Sequence, residues 1–242
     1  MRVSRLYIDS PLTVGGRVEL DDAAGHYVRT VLRLKSEQEI ILFNGAGGEY
    51  LCRLNEVSRK RVAAEIRQFT ERDVESPLFI KLGLGVSRGD RMDWAVQKAV
   101  ELGVTELTPL VTERCVIKFS DDKKQQRQHH WQNIIQHAAE QSGRTRLPVL
   151  HQVEMLADWV DGQQGLRIFL DPHAKHSLVE LGKAPVQATL LIGPEGGFSE
   201  QEREYAKESG FVSVKMGSRI LRTETAVLSA LSAVQALWGD FR

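Results

Sequence analysis

Residues Leu190–Ser199 read LLIGPEGGFS: an apolar strand that ends in Gly-Pro-Glu-Gly-Gly and passes at once into a helix. A strand–turn–helix of this kind belongs to a sheet whose strands alternate with helices. It brings bare backbone to the carboxyl end of a strand, where such sheets bind ligands. Gly193, Gly196 and Gly197 carry no Cβ and so allow close approach and unusual dihedrals. Ser199 and Glu202 have the spacing of a capping box, and Gly210 fits the stop of the helix they begin. The same glycines would also serve an ordinary turn with no ligand.

A second segment, Gly217–Ala226, reads GSRILRTETA and follows one short helix and one strand later. It supplies another glycine turn, then Arg222, Thr223, Glu224 and Thr225 just ahead of a helix. Two such turns in one α/β domain predict a cofactor site with chemistry beside it. A phosphate loop needs G-x-x-x-x-G-K-[ST], with a lysine for phosphate and a hydroxyl for magnesium. From Thr189 to Glu202 there is no Lys or Arg, and Glu195, Glu200 and Glu202 are acidic. This turn therefore suits a ligand read by backbone groups, such as an adenosyl group without phosphates.

The remaining pattern predicts two domains. Residues 1–70 read as short β segments: a strand at Ile40–Phe43, a glycine turn at Asn44–Gly48, a strand at Leu51–Val57, a polar turn at Ser58–Arg61 and a strand at Val62–Phe69. A short helix is expected around Ala23–Leu32, and the whole makes a small β-barrel-like module. Thr70–Pro77 (TERDVESP) is a charged linker ending in proline. Beyond it, strands at Phe79–Val86, Leu107–Val111, Leu166–Leu170, Thr189–Ile192 and Phe211–Met216 alternate with helical faces. Those faces are Met92, Ala95, Val96, Ala99 and Val100, then Trp131, Ile134, Ile135, Ala138 and Ala139, then the Glu200–Ser209 helix. Such alternation means a mostly parallel sheet with helices on both faces. The last helix, Thr225–Trp238, carries no charge and is apolar all round, so it must be covered on every side, by the core or by a second subunit.

Formal net charge is zero, which gives no global attraction to nucleic acid. Residues 1–72 hold 12 Lys+Arg against 10 Asp+Glu, a small excess at the amino-terminal end. Cys52 and Cys115 make no disulfide framework, and no signal peptide or membrane span is legible, so a cytoplasmic protein is expected. His129, His130 and His137 share a helix, but no cluster of acids or cysteines completes a zinc pattern, and no metal is expected.

The IGPEGG turn, the GSRILRTETA segment and the EQSGR run at Glu140–Arg144 together resemble the RsmE family, the 16S ribosomal RNA (uracil-N3)-methyltransferases of the SPOUT superfamily. The resemblance covers nearly the whole chain. It implies a PUA-like β-barrel RNA-binding domain over 1–72 and a SPOUT methyltransferase domain with a trefoil knot over 73–242. It also implies S-adenosylmethionine as cofactor, the small ribosomal subunit as partner, uridine 1498 in ribosomal RNA numbering as target, and a homodimer. By the same resemblance, Leu170, Gly193, Met216, Gly217, Ile220 and Leu221 frame the cofactor, with Gly196 and Gly197 of the glycine turn. Glu195 contacts the cofactor or is a turn acid.

Methylation at uracil N3 requires loss of a weakly acidic proton, stabilisation of the anion, and alignment of nitrogen with the methyl group. Arg222 suits the second task, because a guanidinium stays charged and offers planar donors to the uracil carbonyls. Glu224 accepts the proton, orients Arg222, or caps the last helix. For RNA, Arg5, Arg88, Arg91, Arg114, Arg144 and Arg146 are candidate phosphate contacts, with Arg88 and Arg144 ahead of the rest and Arg5 a candidate substrate contact from the amino-terminal module. Two other readings compete. Gly83, Gly85 and Gly89 after a strand look like a dinucleotide fingerprint, although the spacing is one residue too long and Arg88 stands where the third Gly belongs. A non-catalytic RNA-binding or ribosome-assembly factor would have no need of the second glycine turn with its Arg and Glu.

Overall fold

The first 70 residues form β1 (Arg5–Tyr7), β2 (Arg17–Glu19), β3 (Glu39–Phe43), β4 (Glu49–Val57) and β5 (Val62–Thr70), with α1 (Asp22–His26) continuing into one π-helical turn at Tyr27–Val31. The structure, a computed structural model, describes residues 3–115 and 121–241. The chain divides into two units, Met1–Glu75 with Ala139–Leu147, and Ser76–Ala138 with Pro148–Arg242.

In the first unit the strand order is β1-β3-β4-β5-β2. The β1–β3 pair is parallel and the others antiparallel. Both ends of this order supply the same buried cluster: Leu6 from β1 and Val18 from β2 join Ile40, Leu42, Leu54 and Ile66. The sheet therefore curls around its own core. The glycine turn at 44–48 joins β3 to β4, and Ser58 closes the next turn by donating its backbone N–H to the Arg61 carbonyl at 2.8 Å. The helix expected at Ala23–Leu32 is found, in two pieces of different winding.

This unit corrects two of the expected RNA contacts. The Arg5 side chain is 7% exposed and forms an ion pair with Glu49. It also donates to the Arg144 carbonyl at 2.9 Å and lies 5.0 Å over the Phe43 ring. Arg144 is 6% exposed, pairs with Glu75 and donates to its Oε1 at 3.2 Å. Both guanidinium groups are turned inward onto carboxylates of their own unit, so neither faces a phosphate. The EQSGR run is structural here as well: Glu140 accepts the backbone N–H of Tyr7 at 3.0 Å.

The second unit contains β6 (Phe79–Gly85), α2 (Asp90–Glu101), β7 (Glu106–Val111), α3 (Asp121–Ser142), β8 (Val149–Leu150), β9 (Glu154–Met155), α4 (Leu156–Asp161), β10 (Leu166–Leu170), β11 (His176–Ser177), β12 (Gln187–Ile192), α5 (Glu200–Glu208), β13 (Val212–Lys215) and α6 (Thr223–Trp238). The last turn of α3 groups with the first unit. The sheet order is β11-β13-β10-β12-β6-β7-β8, with β9 also on β7, and every pairing among the described residues is parallel. Side chains alternate across a sheet. Leu110, Phe169 and Leu191 point to one face and meet Leu156, Trp159 and Val160 of α4 and Ala206 of α5. Gly83 lies on that face because the Trp159 ring occupies its side-chain position, 2.4 Å from where a Cβ would be. The alternate residues Ile80, Leu82 and Leu84, at most 1% exposed, point to the other face.

Helices α2 and α6 pack on each other through buried Met92, Ala95, Val96 and Ala99, and Val227, Ala230, Leu231 and Val234. Helix α6 starts two residues before the expected Thr225, so Glu224 falls in its first turn. Leu228, Ala233 and Leu237 are only half-buried in the single chain. Among the described residues no helix is long and apolar enough to cross a membrane.

The inward pairing of Arg144 has a measurable consequence. Removing one member of a buried ion pair strands the other's charge and costs about 3–5 kcal/mol. Arg144→Ala is expected to lower unfolding stability in urea by about that amount. Unchanged stability together with weakened RNA binding would restore the phosphate role.

Candidate active site

Parallel strands end on one edge, and β13, β10 and β12 are neighbours. The segments that leave their carboxyl ends therefore emerge side by side, and together they enclose a cleft of about 300 Å³. Leu170–His173 follow β10, Ile192–Phe198 follow β12, and Met216–Leu221 follow β13, joined by Thr223 and Ala226 of α6. Leu170, Gly193, Glu195, Gly196, Gly197, Met216, Gly217, Ile220 and Leu221, the nine residues expected around a cofactor, all line this one cleft.

The glycine turn is held from three directions. Gly85 of β6 leaves room for Pro194, which lies 2.3 Å from where a Cβ would stand. The Arg114 carbonyl lies 3.0 Å from the corresponding position at Gly196. Glu202 closes the capping box by accepting the Ser199 N–H at 2.8 Å, and its other oxygen accepts the Glu113 N–H at 2.7 Å. Two glycines of the cleft differ from its other two, Gly193 and Gly196. Gly197 (φ +65°) and Gly217 (φ +79°) have left-handed backbone and open space where a side chain would project. Both line the cleft, so bare backbone faces the volume a ligand would fill.

One hydrogen bond joins the two motifs. The Thr223 hydroxyl, in a residue 5% exposed, donates to the Gly193 carbonyl at 3.2 Å. Arg222 immediately precedes it in extended conformation (φ −67°, ψ 155°), as the cap of α6. Its side chain is exposed, with no ion pair among the described residues. Glu224 does not pair with it: Glu224 Oε2 is buried and has no hydrogen-bond partner among the described residues. The orienting contact weighed from sequence is thus absent in this single chain.

Glu195 turns its carboxylate away from the turn, accepting the Arg88 backbone N–H and an Arg91 guanidinium N–H, each at 3.0 Å. Burial would raise its pKa, but these donors outweigh it and hold the carboxyl below its ordinary 4.5. Arg88 itself is exposed beside this tie.

Sequence reading missed a buried pair in the cleft wall. Asp171, 4% exposed, accepts from Arg203 at 2.7 Å and from the His173 backbone N–H at 2.9 Å. Asp171 directly follows β10, and its place at the carboxyl end of a strand is the signal that could have found it. Arg203 is on α5, and nothing local signals that it returns to the cleft. Arg114 and Arg219 also line the cleft. The glycine turn lacks basic residues, as its sequence shows, but the assembled cleft does not.

The dinucleotide fingerprint is accounted for by packing: Gly83 makes room for Trp159 and Gly85 for Pro194. Of the helical histidines, His130 contacts Asp93 at 2.7 Å. Among the described residues no three His, Cys, Asp or Glu side chains form a group that could hold a metal.

Comparison with known proteins agrees with this architecture. A family model described as an RNA methyltransferase domain matches residues 74–235, and one described as an RNA methyltransferase PUA domain matches residues 20–67. Ribosomal RNA small subunit methyltransferase E of Buchnera aphidicola is 34% identical, covering 99% of this chain and 98% of that protein. Its Bacillus subtilis counterpart is 32% identical over 86% of each. The crystal structure of ribosomal RNA small subunit methyltransferase E from Neisseria gonorrhoeae, bound to S-adenosyl methionine, superposes with a TM-score of 0.93 at 37% identity, covering 100% of both chains. A Legionella pneumophila protein solved with the bound cofactor SAM gives 0.97 at 38% identity over 100% of both.

Two measurements probe this framework. Thr223→Val leaves the Gly193 carbonyl unpaired, so it should cost about 1–3 kcal/mol of stability and weaken ligand binding in the cleft, whereas Thr223→Ser restores both. Equal behaviour of the two variants would show that the hydroxyl is idle. For Glu195, a lowered folded pKa means a contribution complete above pH 4.5 and lost as pH falls through the folded value. The stability gap between wild type and Glu195→Gln should be largest at neutrality and vanish in acid; a gap independent of pH contradicts the tie.

Proposed function

Because the chain belongs to the ribosomal RNA small subunit methyltransferase E family, we propose that it methylates 16S ribosomal RNA of the small subunit at uracil N3, at uridine 1498, using S-adenosylmethionine in the cytoplasm. The observation that carries the reading is the cleft itself, lined by bare backbone at Gly197 and Gly217 and by Leu221 and Thr223, the two neighbours of the exposed Arg222.

The residues present fit the cofactor. A side chain at Gly197 or Gly217 would project into the cleft, so the backbone there forms a cradle that a Cβ would fill. Leu170, Gly193, Glu195, Gly196, Gly197, Met216, Gly217, Ile220 and Leu221 are the residues we assign to hold it. When bound, S-adenosylmethionine supplies an electrophilic methyl group on a sulfonium.

The chain's own residues then have three tasks. Arg222, charged at any physiological pH, donates to the uracil carbonyls and stabilises the N3 anion. Its position is fixed by its neighbour Thr223, whose hydroxyl is anchored on Gly193. Glu224 is assigned to accept the N3 proton, directly or through water; it lies one residue past the cleft-lining Thr223, and its Oε2 has no hydrogen-bond partner among the described residues. Arg88, exposed beside the Glu195 tie, is assigned to RNA phosphate.

We propose the same domain reading as the family's: a PUA-like RNA-binding domain over 1–72 and a SPOUT domain with a trefoil knot over 73–242. The family matches at 20–67 and 74–235 support that boundary. The half-buried Leu228, Ala233 and Leu237 on α6 support a homodimer in which a second copy covers this helix.

The test is mass mapping of methylated uridines in 16S RNA from a strain lacking the protein. Wild type should restore one methylated uridine. Arg222→Ala should slow methyl transfer by about 100–1,000-fold, the usual effect of removing one anion-stabilising donor, and leave the oligomeric state intact. Restoration at the wild-type rate by Arg222→Ala would remove its assigned role, and an unmethylated site with wild type would overturn the function.

A further inference from the structure

We propose that Arg114 and Arg219 form a phosphodiester clamp at the mouth of the cleft, gripping the RNA backbone on either side of the target nucleotide. This rests on the reading of the protein as an RNA methyltransferase. It assigns a new site within that reading, made by two arginines that no motif identified as a pair.

The argument begins with what the other arginines do. Arg203 is committed to Asp171, Arg91 to Glu195, and Arg167 donates to the Ser209 carbonyl at 2.7 Å. On the surface of the first unit, Arg17, Arg53, Arg61 and Arg67 each meet a glutamate. Arg114 and Arg219 are different. Both are exposed, both line the cleft, and neither forms an ion pair among the described residues. Arg114 makes one long contact, 3.4 Å to the Gly196 carbonyl. The two acids lining the cleft, Asp171 and Glu195, are each already paired, with Arg203 and Arg91, so Arg114 and Arg219 leave an excess of positive charge there that attracts an anion.

Their placement selects the anion. Arg114 follows β7 and Arg219 follows β13, and these strands are four steps apart in the order β13-β10-β12-β6-β7. At about 4.8 Å per step that is about 19 Å between strand ends, with the glycine turn after β12 in between. Two cations that reach one cleft from strands on opposite sides of the glycine turn suit a polyanion that passes over that turn. A guanidinium meets a phosphate through paired N–H donors. An RNA strand that delivers one base into the cleft must pass its phosphates over both sides of the mouth. Neither arginine needs to read a base, so the clamp supplies affinity and register rather than sequence choice.

The test is equilibrium binding of the full-length protein to small ribosomal subunits prepared from a strain lacking it, measured across a range of salt. Each neutralised phosphate adds about 0.7–0.9 to the slope of log affinity against log salt. Arg114→Ala and Arg219→Ala should each weaken binding about tenfold and reduce that slope by about one. The double variant should lose both increments. Arg114→Lys and Arg219→Lys keep the charge, so they should recover the slope while restoring affinity only in part. Affinity for S-adenosylmethionine, measured on the same preparations, should stay within about twofold. A slope unchanged in the alanine variants overturns the clamp. Lost cofactor affinity with an intact slope also overturns it, by making the two residues cofactor contacts. Because binding is read without turnover, failure of wild type to methylate the subunits would overturn the proposed function separately.

Discussion

Parallel pairing is the constraint on which the functional site depends. Strands β13, β10 and β12 run the same way in adjacent positions, so three loops far apart in sequence leave the sheet at the same edge. That edge alone would give a shallow rim. It becomes a cleft because the loops are fastened to one another: Thr223 to Gly193, Glu202 to Glu113, Glu195 to Arg88 and Arg91. Each tie joins segments far apart in the chain, and all but the Glu195–Arg91 pair use a backbone group at one end. The glycine turn is thereby fixed from outside, by groups on the neighbouring segments.

The arginines divide by environment rather than by motif. Arg5 and Arg144 lie in family-like segments, yet they are buried against Glu49 and Glu75. A guanidinium removed from water requires a carboxylate partner, and those two have one. Arg114, Arg219 and Arg222 are exposed, and the first two line the cleft. No property of the local sequence separates these two groups, because the partners of Arg5 and Arg144 are 44 and 69 residues distant in the chain.

Legibility in the sequence followed the same line. The strand–helix alternation, the capping box at Ser199 and Glu202, and the glycine turns are local patterns, and all of them are found where the periodicity put them. The nine cleft residues were reachable through the two glycine motifs and the family resemblance, and all of them line the cleft. Short strands such as β8, β9 and β11, two residues each, have no periodicity to detect. Helix α4 is six residues long and escaped for the same reason. Thr223 was visible as a residue of the motif, but its hydrogen bond to Gly193 was not, because it spans 30 positions. Arg203 and Asp171 meet only through the packing of α5 on the sheet. Gly83 and Gly85 misled in the other direction, since glycines that admit Trp159 and Pro194 imitate a ligand-binding fingerprint.

The central claim is that bare backbone at the carboxyl edge of this sheet forms a methyl-donor pocket. Calorimetric titration of S-adenosylmethionine into wild type and Gly197→Val tests it most directly, because Gly197 points its missing side chain into open cleft. The account predicts one site per chain in the wild type and loss of binding in the folded variant. Absence of binding to wild type, or unchanged affinity in a folded Gly197→Val protein, would contradict it.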